Sequence, residues 1–125
     1  WGLSFKPNTD DMREASSITL INLLLENGCQ VRAFDPVVGS EAKKHFSIDD
    51  NFTICDNAID AVKGSDVLSI ITEWREFNSP DFLEIKKLLR EPTIFDGRNI
   101  YDPKLMRELG FKYYAIGRGD SIKTF

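Results

Sequence analysis

The sequence predicts an α/β fold of three layers, with helices on both sides of a mainly parallel sheet of five or six strands. Two observations carry this. Short apolar runs alternate with helical patterns through the whole chain, as in successive βαβ units. The run "VLSIIT" (67–72) has almost no polar alternation, which suits a parallel strand covered on both faces. The 125 residues, 42% hydrophobic and 29% charged, suffice for one ordinary domain, so residues 1–125 are read as a single unit.

The strands are expected at "CQVRAFD" (29–35), "FTIC" (52–55), "VLSIIT" (67–72), "TIFD" (93–96) and "YYAIG" (113–117). The stub "WGLSF" joins them as the tail of a strand that begins earlier, so the chain is expected to be part of something longer with its first strand truncated. Helices fall between. Ser16 or Ser17 is positioned to cap a helix with Ile18, Ile21, Leu24 and Leu25 on one side, and Gly28 stands where a C′ glycine belongs. "NAIDAVKG" follows Asp56 and again ends in Gly. "SPDFLEIKKLL" offers Ser79 as N-cap and Pro80 at the first helical position, and "DPKLMRELG" repeats that grammar with Asp102, Pro103 and Gly110. "SEAKKHF" is a short, weak helix.

Composition excludes several classes. A net charge of −4 argues against a general nucleic-acid-binding face, although a small anionic ligand needs only two or three placed cations. No run approaches the roughly 20 apolar residues of a membrane span, and no signal peptide opens the chain. Cys29 and Cys55 form no CxxC and have no neighbouring His, so both are expected as small core residues in a reducing, cytoplasmic setting, without disulfide or metal. His45, the single histidine, sits in a polar stretch and is expected at the surface.

In open α/β sheets, ligands bind beyond the carboxyl ends of the strands. The residues that follow the expected strands are "FKPNTDDMRE", "DPVV", "TEWREF", "DGRN" and "GRGD", so the unusual polar clusters share one edge. Lys6 leaves the first strand there and Arg98 leaves another. Together with the rings of Phe5 and Trp74 they suggest a seat for a phosphate-bearing, ring-containing molecule. Plainer readings compete: Asp10, Asp11 and Glu14 as partners of Arg13 on a solvated loop, Trp74 as a core-edge aromatic, Asp35-Pro36 and Asp96-Gly97 as turns. There is no GxGxxG after the first strand, no GxxxxGK[ST] and no nucleophile elbow.

The motifs "GLSFKPNTDDMREASS", "VRAFDP", "ITEW", "IFDGRNIYDP" and "LGFKYYAIGR" resemble, in order and over essentially the whole chain, the C-terminal domain of the UDP-glucose/GDP-mannose dehydrogenase family. The resemblance implies a Rossmann-like α/β/α domain that binds a UDP-sugar, beside a separate N-terminal NAD-binding domain, in a homodimer. It implies an oxidoreductase that converts a sugar C6 alcohol to a carboxylate in two NAD-dependent steps through a cysteine-bound intermediate, with UDP-glucose favoured over UDP-N-acetylmannosamine and GDP-mannose and with UDP-glucuronate, a polysaccharide precursor, as product. It places Phe5, Lys6 and Arg98 on the nucleotide-sugar, and Arg13 against NAD held by the other domain. Neither cysteine stands in the family's glycine-rich catalytic motif, so no catalytic residue is expected in this chain and the chain alone is expected to be inactive. Readings from other classes are a non-catalytic assembly module and, remotely, a flavodoxin-like regulator.

Overall fold

Residues 1–13, 15–46 and 50–116 are described in a computed structural model. Along them run α1 (Ser16–Glu26), β1 (Val31–Ala33), a 3₁₀ turn at Ser40–His45, β2 (Phe52–Ile54), α2 (Ala58–Val62), β3 (Leu68–Ile70), a second 3₁₀ turn at Arg75–Phe77, α3 (Phe82–Leu88), β4 (Thr93–Asp96), α4 (Pro103–Glu108) and β5 (Lys112–Ala115). The strands pair in parallel. Val31 lies opposite Phe52 in one sheet, while Leu68, Ile94 and Tyr113 line up across β3, β4 and β5 in the other. No helix among the described residues is long and apolar enough to cross a membrane.

The N-terminal segment bridges the two sheets. The amino group of Trp1 donates to the Ser69 carbonyl at 2.8 Å, and the Ile71 amide donates to the Trp1 carbonyl at 2.9 Å. That is the parallel ladder pattern centred on Ile70. On the other side the Gly2 amide donates to the Phe34 carbonyl at 2.8 Å, just past β1. The spatial order is therefore β2, β1, residues 1–3, β3, β4, β5. Counted from the N-terminal segment this is the doubly wound order 3-2-1-4-5-6, whose switch point falls between residues 1–3 and β3. The described residues hold five regular strands. The segment takes a sixth place without regular strand geometry, because Gly2 adopts φ +97°.

That φ has a packing consequence. Alternate residues of a strand point to the same face, yet Trp1 enters one core cluster and Leu3 the other. The turn at Gly2 rotates the chain between them. A Cβ at position 2 would lie 2.5 Å from both the Thr72 amide nitrogen and its Cβ, so only glycine fits.

Helices lie on both sides of the sheet, α1 over the β1–β2 half on one side and α2, α3 and α4 on the other. Phe95 of β4, on the α1 side, is 43% exposed. Ala33 packs with Ile21 and Leu25 of α1, whereas the next residue, Phe34, packs with Val62 of α2, Ile85 of α3 and Met106 of α4. Since consecutive strand residues alternate, the two clusters lie on opposite sides of the sheet, which gives the expected three layers.

The helix ends depart from expectation in two places. α1 has Ala15 at its N-cap with no side-chain cap, because the hydroxyl of the buried Ser17 donates instead to the Leu3 carbonyl at 2.6 Å. α3 starts two residues later than its Pro suggested: Asp81, not Ser79, accepts the Glu84 amide. α4 follows the expected grammar, with Asp102 accepting from the Lys104 amide and Pro103 at the first turn. Cys29 is exposed, contrary to its expected burial, since it follows the turn that ends α1 at Gly28; Cys55 is half-buried. His45 is exposed as expected. The "GRGD" loop and Glu14 lie outside the described residues.

Candidate functional site

The carboxyl rim of the switch point is built on two buried carboxylates. Asp35, two residues past β1, accepts from five donors. Its Oδ2 takes the Leu3 amide (2.8 Å), the Ser4 amide (3.2 Å) and the Trp74 indole N–H (3.2 Å). Its Oδ1 takes the amides of Val37 and Val38, both at 2.9 Å. One side chain thus ties the N-terminal segment, its own turn and the loop after β3. The turn reading of Asp35-Pro36 holds, with a wider role than a turn alone.

Trp74 is drawn inward by this bond. It is 8% exposed and belongs to the core, so it offers no ring to a ligand at the rim, and the expected aromatic seat loses one of its two walls.

Asp96, at the end of β4, organises the second carboxylate centre. Its Oδ1 accepts the Arg98 amide at 2.9 Å, and its Oδ2 accepts the amides of Ile100 (2.8 Å) and Tyr101 (3.1 Å) and the Tyr113 hydroxyl. Tyr101 in turn donates its hydroxyl to the Phe77 carbonyl at 2.6 Å. Burial, reinforced by Asp96, pushes the Tyr101 phenol well above its ordinary pKa. The "DGRN" turn is thereby fixed to the sheet, and the Gly97 amide adds a bond to the Ile70 carbonyl at 2.9 Å.

From this turn Arg98 reaches back across the switch point. Its Nε donates to the Ile71 carbonyl at 2.6 Å and its Nη2 to the Phe5 carbonyl at 3.1 Å. Its Nη1 lies 3.6 Å from Glu73 Oε2, an ion pair longer than a hydrogen bond. The side edge of the guanidinium is docked on backbone, and the end edge faces Glu73.

Lys6 follows Phe5 directly. Its ammonium stands 5.2 Å from the centroid of the half-buried Phe5 ring and makes no hydrogen bond or ion pair among the described residues. The loop that carries it closes on itself: the Phe5 amide donates to the Asp11 carbonyl at 3.0 Å, and the Ser4 hydroxyl donates to the Lys6 carbonyl at 2.9 Å. The Thr72 hydroxyl, bonded to the Ser4 carbonyl, pins the loop's root to the end of β3. Phe5, Lys6 and Arg98 thus share one rim, with Arg98 in direct contact with Phe5.

Arg13 is 87% exposed in its side chain and pairs with Asp11, its Nη2 at 2.8 Å from Oδ2. The hydrogen bonds from Arg13 hold the Asp11 carboxyl down at about 2. Among the described residues Asp11 is the acid that pairs with Arg13, in line with the plainer reading.

A wide hollow of about 610 Å³ on α1, lined by Ala15, Ser16, Ile18, Thr19, Leu20 and Leu23, shares none of these rim residues. Among the described residues no cluster of three or more His, Cys, Asp or Glu is placed to hold a metal. Glu73 was not singled out from the sequence. Its only signal was its place in "TEWREF", directly after a strand at the ligand edge.

Comparison with known proteins decides the family. Residues 1–103 match the profile of the UDP-glucose/GDP-mannose dehydrogenase family, UDP binding domain. The chain belongs to this family. UDP-glucose 6-dehydrogenases of Pseudomonas aeruginosa and Rickettsia conorii are 46% and 41% identical to it, over 94% and 93% of this chain and 27% of each relative. Among solved structures, the NDP-N-acetyl-D-galactosaminuronic acid dehydrogenase of Methanosarcina mazei superposes with a TM-score of 0.80 at 27% identity, covering 98% of this chain and 24% of that one. A UDP-glucose dehydrogenase from Pyrobaculum islandicum gives 0.69 at 30% identity, covering 90% and 23%. The chain spans about a quarter of the length of these family members. The doubly wound order of this chain accounts for the rim in which Arg98 meets Phe5.

Proposed function

We propose that this chain is the nucleotide-sugar-binding domain of an NAD-dependent dehydrogenase that oxidises UDP-glucose to UDP-glucuronate. The observation that carries the reading is the meeting of Arg98 and the Phe5–Lys6 corner at the switch point, where doubly wound folds receive ligands. Lys6, exposed and without an acid bonded to it among the described residues, is the cation for the diphosphate. Arg98, held from behind by two carbonyls, presents its end edge to the sugar portion. The half-buried Phe5 ring adds apolar contact beside them. The choice of UDP-glucose rests on the relatives from Pseudomonas aeruginosa and Rickettsia conorii, both UDP-glucose 6-dehydrogenases.

NAD fits this chain only at its margin. The sequence has no dinucleotide fingerprint, and the one side chain assigned to the cofactor, Arg13, is a surface guanidinium held by a single carboxylate. NAD, when bound, would accept the hydride; the part of this chain is to offer Arg13 to it from a loop whose other end binds substrate. The remaining length typical of the family would supply the NAD site, the catalytic cysteine and a homodimer contact.

The test is titration calorimetry of the full-length protein with UDP-glucose, beside NADH formation from UDP-glucose and NAD. Binding that weakens in Lys6→Ala and Arg98→Ala supports the reading. Turnover of UDP-glucose by residues 1–125 alone contradicts it.

A further inference from the structure

The charges at the rim are unequally balanced, and this divides the site. Among the described residues Lys6 has no acid bonded to it, whereas Arg98 has Glu73 beside its end edge at 3.6 Å. Arg98 cannot swing away from Glu73, because its Nε and Nη2 are docked on the Ile71 and Phe5 carbonyls. That end of the rim is therefore close to neutral, and a phosphate placed there would meet the carboxylate of Glu73 as well as the guanidinium.

We propose that Glu73 is a specificity-determining residue that, with the end edge of Arg98, binds neutral sugar hydroxyls and leaves the diphosphate to Lys6. This rests on the nucleotide-sugar reading above. A hydroxyl both donates and accepts; a carboxylate only accepts and a guanidinium only donates. The side-by-side pair can thus take two neighbouring hydroxyls, one donating to Glu73 and one accepting from Arg98. The 3.6 Å separation exceeds the roughly 2.7–2.9 Å of a formed charge-assisted hydrogen bond, so the end donors of Arg98 are not consumed by Glu73. Glu73 is 37% exposed in its side chain, and its carboxylate accepts no hydrogen bond among the described residues. Both groups remain able to bind.

The experiment compares UDP with UDP-glucose by titration calorimetry on the full-length protein, for wild type, Glu73→Ala and Glu73→Gln, with thermal melts as a check on folding. The expected result is a loss of about tenfold in UDP-glucose affinity for Glu73→Ala, the scale of one hydrogen bond to a charged group, with UDP affinity unchanged. Glu73→Gln, which keeps one acceptor oxygen, falls between. Equal weakening of both ligands, tighter binding of UDP, or no change in either overturns the proposal, since each gives Glu73 a role other than reading the sugar. Failure of wild type to bind either ligand removes the nucleotide-sugar reading itself, a distinguishable result.

Discussion

Arg98 donates from Nη2 to the backbone carbonyl of Phe5 at 3.1 Å, across 93 residues of sequence. The bond crosses the switch point of the sheet, so the residue proposed to bind substrate also joins the N-terminal segment to the end of β4. Lys6, one residue further along, has no comparable structural duty.

The two cations therefore separate in their effects. Lys6→Ala is expected to weaken UDP-glucose binding roughly ten- to a hundredfold, the scale of a charge-assisted hydrogen bond, with little change in melting temperature. Arg98→Ala is expected to weaken binding on the same scale and also to lower the melting temperature, because two backbone carbonyls lose their donor. Arg98→Lys restores neither fully, since an ammonium cannot reproduce the planar fork. Calorimetry and thermal melts on the same samples check this.

Asp35 is expected to be the most sensitive polar position of the rim. Asp35→Ala leaves the amides of Leu3, Ser4, Val37 and Val38 and the Trp74 indole without their acceptor. At about 1–3 kcal/mol for each buried group left unsatisfied, the loss threatens folding outright. Asp35→Asn, which keeps one carbonyl oxygen, is expected to cost about 2–4 kcal/mol in urea unfolding.

Gly2→Ala brings a methyl group to 2.5 Å from the Thr72 backbone nitrogen at a φ of +97°. A backbone neighbour cannot move aside as a flexible side chain does. A destabilisation above about 2 kcal/mol is expected, read by the same urea unfolding, together with weaker ligand binding because the rim is rooted there.

Asp11 carries a pH dependence whose sign follows from its shift. Its carboxyl is held at about 2 in the fold, below the ordinary value of 3.8, chiefly by the hydrogen bond from Arg13. A carboxylate with a lowered folded pKa adds stability that is complete above its unfolded value and is lost as pH falls from about 4 towards 2. Arg13→Gln is expected to return Asp11 towards the ordinary range, as measured by NMR titration of its carboxyl. The pair lies at the surface, so added salt is expected to shrink the difference.

Much of the fold could be read from the sequence because central parallel strands are marked by short continuous apolar runs, even where one side chain, Phe95 of β4, stays exposed. "TIFD" gave the bounds of β4, and "VLSIIT" contains β3. What could not be read depends on contacts between distant residues. Trp74 looked available to a ligand, but its indole bonds to Asp35, 39 residues away, and is buried. Ser17 looked like a cap, but its hydroxyl is taken by the Leu3 carbonyl. Cys29 was placed in the core by its residue type, yet the turn at Gly28 carries it to the surface. For the site, the shared edge of Phe5, Lys6 and Arg98 followed from strand ends alone. The approach of Glu73 to Arg98 did not, because it requires β3 and β4 to be neighbours and Arg98 to turn back over the sheet.

The most direct measurement of the central claim is hydrogen exchange by mass spectrometry on the full-length protein with and without UDP-glucose. Protection is expected to concentrate in peptides covering residues 3–8, 71–74 and 96–100, the corner where Phe5, Lys6, Glu73 and Arg98 converge. Saturating ligand that leaves those three stretches unchanged while protecting the opposite rim, at residues 27–30, 64–66 and 90–92, would contradict the account.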